Sequence, residues 1–246
     1  MLRVEGRTVV VTGAAGGIGL AMVRALAAEG AKVVAVDRSE PQEDPGAEFR
    51  LLDVTEPGQW RALAADLGRV DGLVNNAGVT WRARIDEVRP QDMARVHAVN
   101  VTGPLLGMQH LAPVMPPGSS IVNVGSLAAL TAHYPVAYTT SKWALRGLSA
   151  TACLEYGPRG IRVNTVHPGF IETPMTGSAP EAFRTASIAE TPLGRTGTPA
   201  EIAALVVFLI SPESSYITGA EIPVDGGHSA HGGVKSLSDA LREPAT

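Results

Sequence analysis

Thr8-Val9-Val10-Val11-Thr12-Gly13-Ala14-Ala15-Gly16-Gly17-Ile18-Gly19 decides how this chain folds. A run of β-branched residues leads into a glycine-rich turn, and an apolar helical pattern follows over Ile18–Glu29. Gly13 permits the tight turn, while Gly17 and Gly19 permit close approach of backbone. The helix that starts there offers N–H groups to a pyrophosphate. Gly30 stands where that helix should stop. The next β-branched run, Lys32–Val36, is closed by Asp37, a carboxylate placed to accept hydrogen bonds from an adenosine ribose.

The same alternation continues along the chain. Phe49–Leu52, Gly72–Val74, Ser120–Val124, Arg162–Val166 and Glu221–Val224 read as further strands, which makes seven with the two above. Their near-continuous apolar character suits a parallel sheet covered on both faces. Pro57–Leu67, Pro90–Val114, Val136–Tyr156 and Pro199–Ile210 read as the helices between them, most with Gly or Pro at their margins. The pattern predicts an α/β, doubly wound fold in one domain over residues 1–246. Residues 173–198 are polar and weakly periodic, and are read as a mobile excursion over a site. The polar tail, 228–246, is expected to order only against a partner subunit.

Composition bounds the function. The chain has 246 residues, 45% of them hydrophobic and 18% charged, which is enough for one well-filled core. A net charge of -4 excludes the basic surface that phosphate backbones require. The longest apolar stretch, Ile202–Ile210, falls well below the roughly 20 residues that span a bilayer. The amino terminus commits to its first strand too early for a signal sequence, and a lone Cys153 forms no internal disulfide. These readings predict a cytoplasmic protein with no nucleic-acid, membrane or metal partner.

Ser126, Tyr138 and Lys142 carry the chemistry. Tyr138 and Lys142 are one helical turn apart, so they share a face of the predicted helix. A nearby ammonium is expected to lower the phenol's pKa by direct attraction and make Tyr138 an acid/base, with the Ser126 hydroxyl holding the oxygen of the reacting carbon. Asp37 would repel a 2′-phosphate, which favours NAD over NADP. Arg38 is the opposing signal, because a guanidinium there could bind that phosphate. Asp53 and Val54, after the third strand, could contact the adenine edge, although an exposed acid at a strand end explains Asp53 equally well. The six histidines, His97, His110, His133, His167, His228 and His231, form no triad with an acid and a nucleophile. All are read as structural, with His133 the one near substrate. Trp81, Leu127, Tyr134 and Phe170 flank motif residues and could line an apolar pocket, although core packing explains each nearly as well.

On these residues the chain resembles the short-chain dehydrogenase/reductase family from Gly6 to about Gly227. Thr12-Gly13, Gly17 and Gly19 fit its TGxxxGxG; Asn75-Asn76-Ala77-Gly78 fit its NNAG; Asn100, Ser126, Tyr138 and Lys142 fit its catalytic tetrad. Pro168, Gly169 and Thr173, with Ile171 between them, fit its nicotinamide element. The resemblance implies a Rossmann-like fold and a homotetramer assembled through the long helices. It also implies that Asn76, Ala77 and Gly78 close the adenine side, that Lys142 reaches the nicotinamide ribose, and that Asn100 holds a water leading to Lys142. The expected activity is interconversion of a small-molecule secondary alcohol and a ketone, the alcohol alicyclic or steroid-like. The alternatives are an NADP-linked reductase of 3-oxoacyl thioesters and a nucleotide-sensing protein without turnover.

Overall fold

The computed structural model describes residues 2–242. Seven strands form one wholly parallel sheet in the order β3-β2-β1-β4-β5-β6-β7. They are β1 (Thr8–Thr12), β2 (Lys32–Asp37), β3 (Glu48–Leu51), β4 (Gly72–Asn75), β5 (Ser120–Val124), β6 (Arg162–Pro168) and β7 (Glu221–Val224). Helices α1 (Gly17–Ala28) and α8 (Pro199–Ile210) cover one face; α2 (Pro57–Leu67), α4 (Gly103–Leu111) and α5 (Val136–Tyr156) cover the other.

The alternation of side chains explains why β1 needs valine at three successive positions. Val9 and Val11 pack with Met22, Val23, Ile202 and Val206 on one face, whereas Val10 packs with Trp60, Leu63, Leu73 and Ile121 on the other. All three are fully buried, and each contributes at most about 1.5–3 kcal/mol of hydrophobic stabilisation. β1 pairs with β2 on one side and with β4 on the other. The chain therefore reverses its direction of travel across the sheet at β1, and the crevice beyond the ends of β1 and β4 is where such folds bind ligands.

Three regions carry structure that the sequence did not specify. The stretch 90–114 is not one α-helix: α3 (Pro90–His97) passes through a π-helical segment, Ala98–Thr102, before α4 begins. That segment turns Asn100 into the interior, where it ties separate parts of the chain together. Residues 173–198 contain two short helices, α6 (Pro174–Gly177) and α7 (Glu181–Ala189). They have no fully buried residue and so leave little apolar periodicity to read.

The tail also takes up structure within a single chain, through a 3₁₀ turn (His228–Ala230) and α9 (Lys235–Ala240). His231 Nε2 lies 2.8 Å from the Glu190 carbonyl, which ties the tail to the end of α7. The last four residues of the expected tail, and Met1 at the other end, lie outside the described residues. Among the described residues no helix is long and apolar enough to cross a membrane.

Candidate active site

The glycine turn is built from positions that exclude side chains. Gly13 and Gly17 have φ of +64° and +54°. A Cβ on Gly13 would lie 2.7 Å from Ala77 Cα, and one on Gly19 would lie 2.0 Å from the Gly13 carbonyl oxygen. α1 starts directly after this turn with no acidic side chain in its first turn, so its N–H groups meet no built-in anion. The Asn76 amide donates to the carbonyls of Thr12 and Gly13 at 2.9 and 3.1 Å and fixes the turn from behind.

Gly13, Gly17, Ile18, Gly19, Asp37, Asn76, Ala77 and Gly78 line one end of a cavity of about 350 Å³. Ser126, Tyr138, Lys142, Pro168, Gly169, Ile171 and Thr173 line the other. A second cavity of about 350 Å³ continues past Asp37 to Arg38, Asp53 and Val54. A backbone cradle open to phosphate, leading at either end to a carboxylate and to a phenol, fits a nicotinamide dinucleotide. Arg95, also on the second cavity wall, is a basic residue that sequence reasoning missed.

Thr12 and Asn100 are the two expected site residues that the fold keeps off these cavity walls. Thr12 is buried, and its hydroxyl accepts the backbone N–H groups of Asn76 and Ala77, both at 2.9 Å. Its part is to hold the chain after β4 against the end of β1. The Asn100 amide donates to the Val79 carbonyl (3.0 Å) and to Ser141 Oγ (2.9 Å), while its oxygen accepts the Val79 N–H (2.8 Å). Both amide N–H groups are thereby committed, and a water at Asn100 would have to meet another of its atoms.

The carboxylate of Asp37 accepts the N–H groups of Ala15 (3.0 Å) and Ser39 (3.1 Å), which hold it rigid at the junction of the two cavities. Asp53 is similarly held by the backbone and hydroxyl of Thr55, and these bonds, with Arg38 nearby, keep its carboxyl below the usual range.

At the chemical end, β5 runs out at Val124 and delivers Ser126, whose Oγ accepts the Ala128 N–H at 3.1 Å. Tyr138 and Lys142 project from the first two turns of α5. Lys142 is buried; its Nζ donates to the Val124 carbonyl at 2.8 Å and lies 5.7 Å from the centre of the Tyr138 ring. Desolvation lowers this ammonium to about 8.

The Tyr138 pKa departs from the sequence expectation. Burial raises it above the ordinary phenol value, and the Ser126 side chain pulls it only partly back. The ammonium lies against the ring and hydrogen-bonds to backbone, so desolvation outweighs attraction.

A third cavity, of about 310 Å³, opens on the far side of Ser126 and Tyr138. Leu127, Tyr134, Phe170 and His133 line it as expected. Trp81 does not: it is 38% exposed, with the Arg95 guanidinium 5.1 Å above its ring. Phe183 and His228 were not anticipated. Phe183 stacks on His133 at 5.4 Å and meets Phe170 edge-on at 5.6 Å, so α7 supplies a central wall residue. Only its place in the excursion pointed towards this role. Cys153 lies apart from these cavities, partly buried, with Sγ 3.2 Å from Thr218 Oγ1.

A parallel doubly wound sheet, a glycine cradle at its switch point and a Ser-Tyr-Lys group beside it define a nucleotide-linked oxidoreductase. The chain belongs to the short-chain dehydrogenase/reductase family, whose members act on CH–OH groups with NAD(P). The family pattern described as Enoyl-(Acyl carrier protein) reductase matches residues 13–229. The chain is 41% identical over 239 residues to a 3-alpha-(or 20-beta)-hydroxysteroid dehydrogenase of Mycobacterium tuberculosis, covering 92% of this chain and 90% of the relative. It is 37% identical over 250 residues to the trans-4-hydroxycyclohexanecarboxylate dehydrogenase of Sinomonas cyclohexanicum, covering 93% and 95%. A crystal structure from Agrobacterium tumefaciens with bound NADP, described as a candidate 2-deoxy-D-gluconate 3-dehydrogenase, superposes with a TM-score of 0.86 at 34% identity. That match covers 94% of this chain and 99% of the other.

Proposed function

We propose that this protein interconverts an alicyclic secondary alcohol and its ketone with NAD, Tyr138 exchanging the proton and Ser126 holding the oxygen. The observation that carries this reading is a shared wall: Ser126 and Tyr138 line both the cradle cavity and the aromatic cavity. A substrate carbon seated there meets a phenol and a hydroxyl at its oxygen and the cofactor space at its other face. Bound NAD supplies the hydride acceptor. In oxidation Tyr138 removes the hydroxyl proton as the carbinol C–H bond breaks, and Ser126 donates to the oxygen. The positive charge of Lys142 beside the ring favours the phenolate form of Tyr138, and the same residue would hold the nicotinamide ribose. In reduction the neutral Tyr138, kept protonated by burial, gives its proton to the forming alkoxide.

For the cofactor, Gly13, Gly17, Ile18 and Gly19 would hold the pyrophosphate and Asp37 the adenosine ribose. Asp53, Val54, Asn76, Ala77 and Gly78 would border adenine; Pro168, Gly169, Ile171 and Thr173 would border nicotinamide. The rigid Asp37 carboxylate supports NAD, since a 2′-phosphate there would meet like charge. Arg38 and Arg95 on the adjoining wall support the competing choice, NADP.

The single domain, the mobile cover over 173–198 and a cytoplasmic homotetramer belong to the same proposal. Trp143 and Leu154 on α5 and Leu105 on α4 are exposed apolar residues that suit subunit contacts.

The test is absorbance at the reduced-nicotinamide band with NAD or NADP and a panel of cyclopentanol, trans-4-hydroxycyclohexanecarboxylate and a 3α-hydroxysteroid. NADPH oxidation with a 3-oxoacyl thioester is measured beside it. Turnover of an alicyclic alcohol with NAD preferred is the expected outcome. Preference for the thioester and NADPH would overturn it, and nucleotide-induced thermal stabilisation without any turnover would indicate a sensor.

A further inference from the structure

Beneath Ser126 lies a side chain that the proposed chemistry does not use. His167, on β6, is fully buried, and its Nδ1 faces the backbone of Ser126, 3.3 Å from the peptide nitrogen and 3.1 Å from the carbonyl oxygen. One ring nitrogen cannot accept from the first and donate to the second at once.

Hydrogen-bond accounting separates the two cases. The Ser126 carbonyl already accepts the Ala129 N–H at 2.9 Å, whereas the Ser126 N–H has Nδ1 as its acceptor. An imidazole donating from Nδ1 would leave that N–H without a partner, at a cost of about 1–3 kcal/mol. The far side of the ring points the same way. Nε2 is buried without a hydrogen-bond partner and lies 4.0 Å from Glu221 Oε1, on β7. A proton on Nε2 faces that carboxylate favourably; a lone pair there would face it unfavourably. Arg146 of α5 holds Glu221 in place with two bonds, of 2.7 and 2.6 Å. Gly125 completes the arrangement, because a Cβ there would lie 2.5 Å from Nδ1 and displace the ring.

We infer that His167 is a positioning residue for the reaction: held as the Nε2–H tautomer by Glu221, it accepts the Ser126 N–H through Nδ1 and fixes the serine whose hydroxyl meets the substrate oxygen. This rests on the proposed role of Ser126. The imidazole turns the serine's peptide N–H inward, leaving the hydroxyl as the group offered to the cleft. The charged groups around the ring are Glu221, Arg146 and Lys142, and burial keeps the imidazole neutral at physiological pH.

Two measurements on the full chain test the inference. Nitrogen-15 NMR of the His167 ring without cofactor should show a protonated Nε2 and a bare, hydrogen-bonded Nδ1; the opposite tautomer would overturn it. In kinetics with NAD and the best-turned-over alcohol of the panel, His167→Leu should lower kcat roughly tenfold with NADH affinity unchanged. His167→Asn, which restores an acceptor near Nδ1, should recover most of the loss. Equal kcat in His167→Leu and wild type, or equal loss in both variants, would sink the positioning role. If His167→Leu does not fold, the NMR result and His167→Asn at near-wild-type kcat carry the test. Ser126→Ala separates the two failures: unchanged turnover there removes the reading of the site itself, whereas a large loss there with an unaffected His167→Leu removes the inference alone.

Discussion

The cradle side and the alcohol side of the cleft are built by different means. On the cradle side, backbone lines the space: Cβ atoms on Gly13 and Gly19 would strike their neighbours, Gly17 holds a positive φ, and Asn76 and Thr12 lock the turn by hydrogen bonds. On the alcohol side, aromatic side chains from separate segments, Tyr134, Phe170 and Phe183, enclose the space. A site made of backbone tolerates little change and states itself in glycine spacing. A site made of packed rings can alter its shape one residue at a time, which suits a family of many alcohols.

The largest effect is expected at the wall the two sides share. Tyr138→Phe keeps the ring and removes the proton carrier, so turnover should fall by about 10²–10⁴-fold while NADH affinity, measured by fluorescence titration, stays near wild type. Turnover close to wild type would end the acid/base assignment. The raised pKa of Tyr138 adds a signature with a definite sign. The phenol is neutral at pH 7, so ketone reduction should be flat there and decline only at alkaline pH. Alcohol oxidation should climb as pH rises toward that raised value. An oxidation rate that declines between pH 7 and 8, where Lys142 still holds its charge, would contradict it.

On the cradle side alone, Gly19→Ala places a Cβ against the Gly13 carbonyl oxygen. Overpacking of backbone against backbone should cost about 1–3 kcal/mol of stability and weaken NADH binding together with it. Unchanged affinity and melting temperature would show that the turn is looser than its geometry.

These two halves were unequally legible in the sequence. Gly13, Asp37, Ser126, Tyr138 and Lys142 are fixed by short-range spacing after strands, and the strands announce themselves because both faces of the sheet bury apolar residues. The π segment at Ala98–Thr102 left no mark, since the tertiary partners of Asn100, Val79 and Ser141, decide it. Phe183 sits on a short helix with no fully buried residue. Trp81 follows the NNAG run closely, but nearness in sequence does not specify which side of a loop faces the cavity. His167 was readable only as a lone histidine before Pro168; its unpartnered nitrogen exists in three dimensions alone.

Lys142 lines the cradle cavity beside Tyr138, yet its effect on stability should oppose its effect on catalysis. Burial lowers its pKa from 10.5 to about 8, so the folded state pays for holding the charge. Below pH 8 both folded and unfolded chains are protonated at this residue, and the penalty is complete. Between pH 8 and 10.5 the folded protein releases the proton while the unfolded chain retains it, and stability rises through that window. Lys142→Met removes the charge and forfeits the bond to the Val124 carbonyl, leaving a net gain of about 1–2 kcal/mol at pH 7. The melting temperature should rise by roughly 2–8 °C as turnover collapses. The gap from wild type should narrow as pH goes from 8 to 10.5. A less stable variant at pH 7 would show that the ammonium is better compensated than its surroundings indicate.

The smallest expected effect tests the alcohol side through a pair of aromatic residues. Phe183→Ala removes the ring between His133 and Phe170 and enlarges the cavity at its centre. The lost contact should raise KM for a cyclic alcohol about tenfold and leave NADH affinity unchanged. Trp81→Ala is the matched control, because that ring lies outside the cavity under Arg95 and its loss should cost about 0.5–1 kcal/mol of stability with KM preserved. Should Trp81→Ala raise KM and Phe183→Ala leave it alone, the alcohol would sit over the loop after β4 instead of under α7. The proposed division between a backbone-built side and a ring-built side would then have to be redrawn.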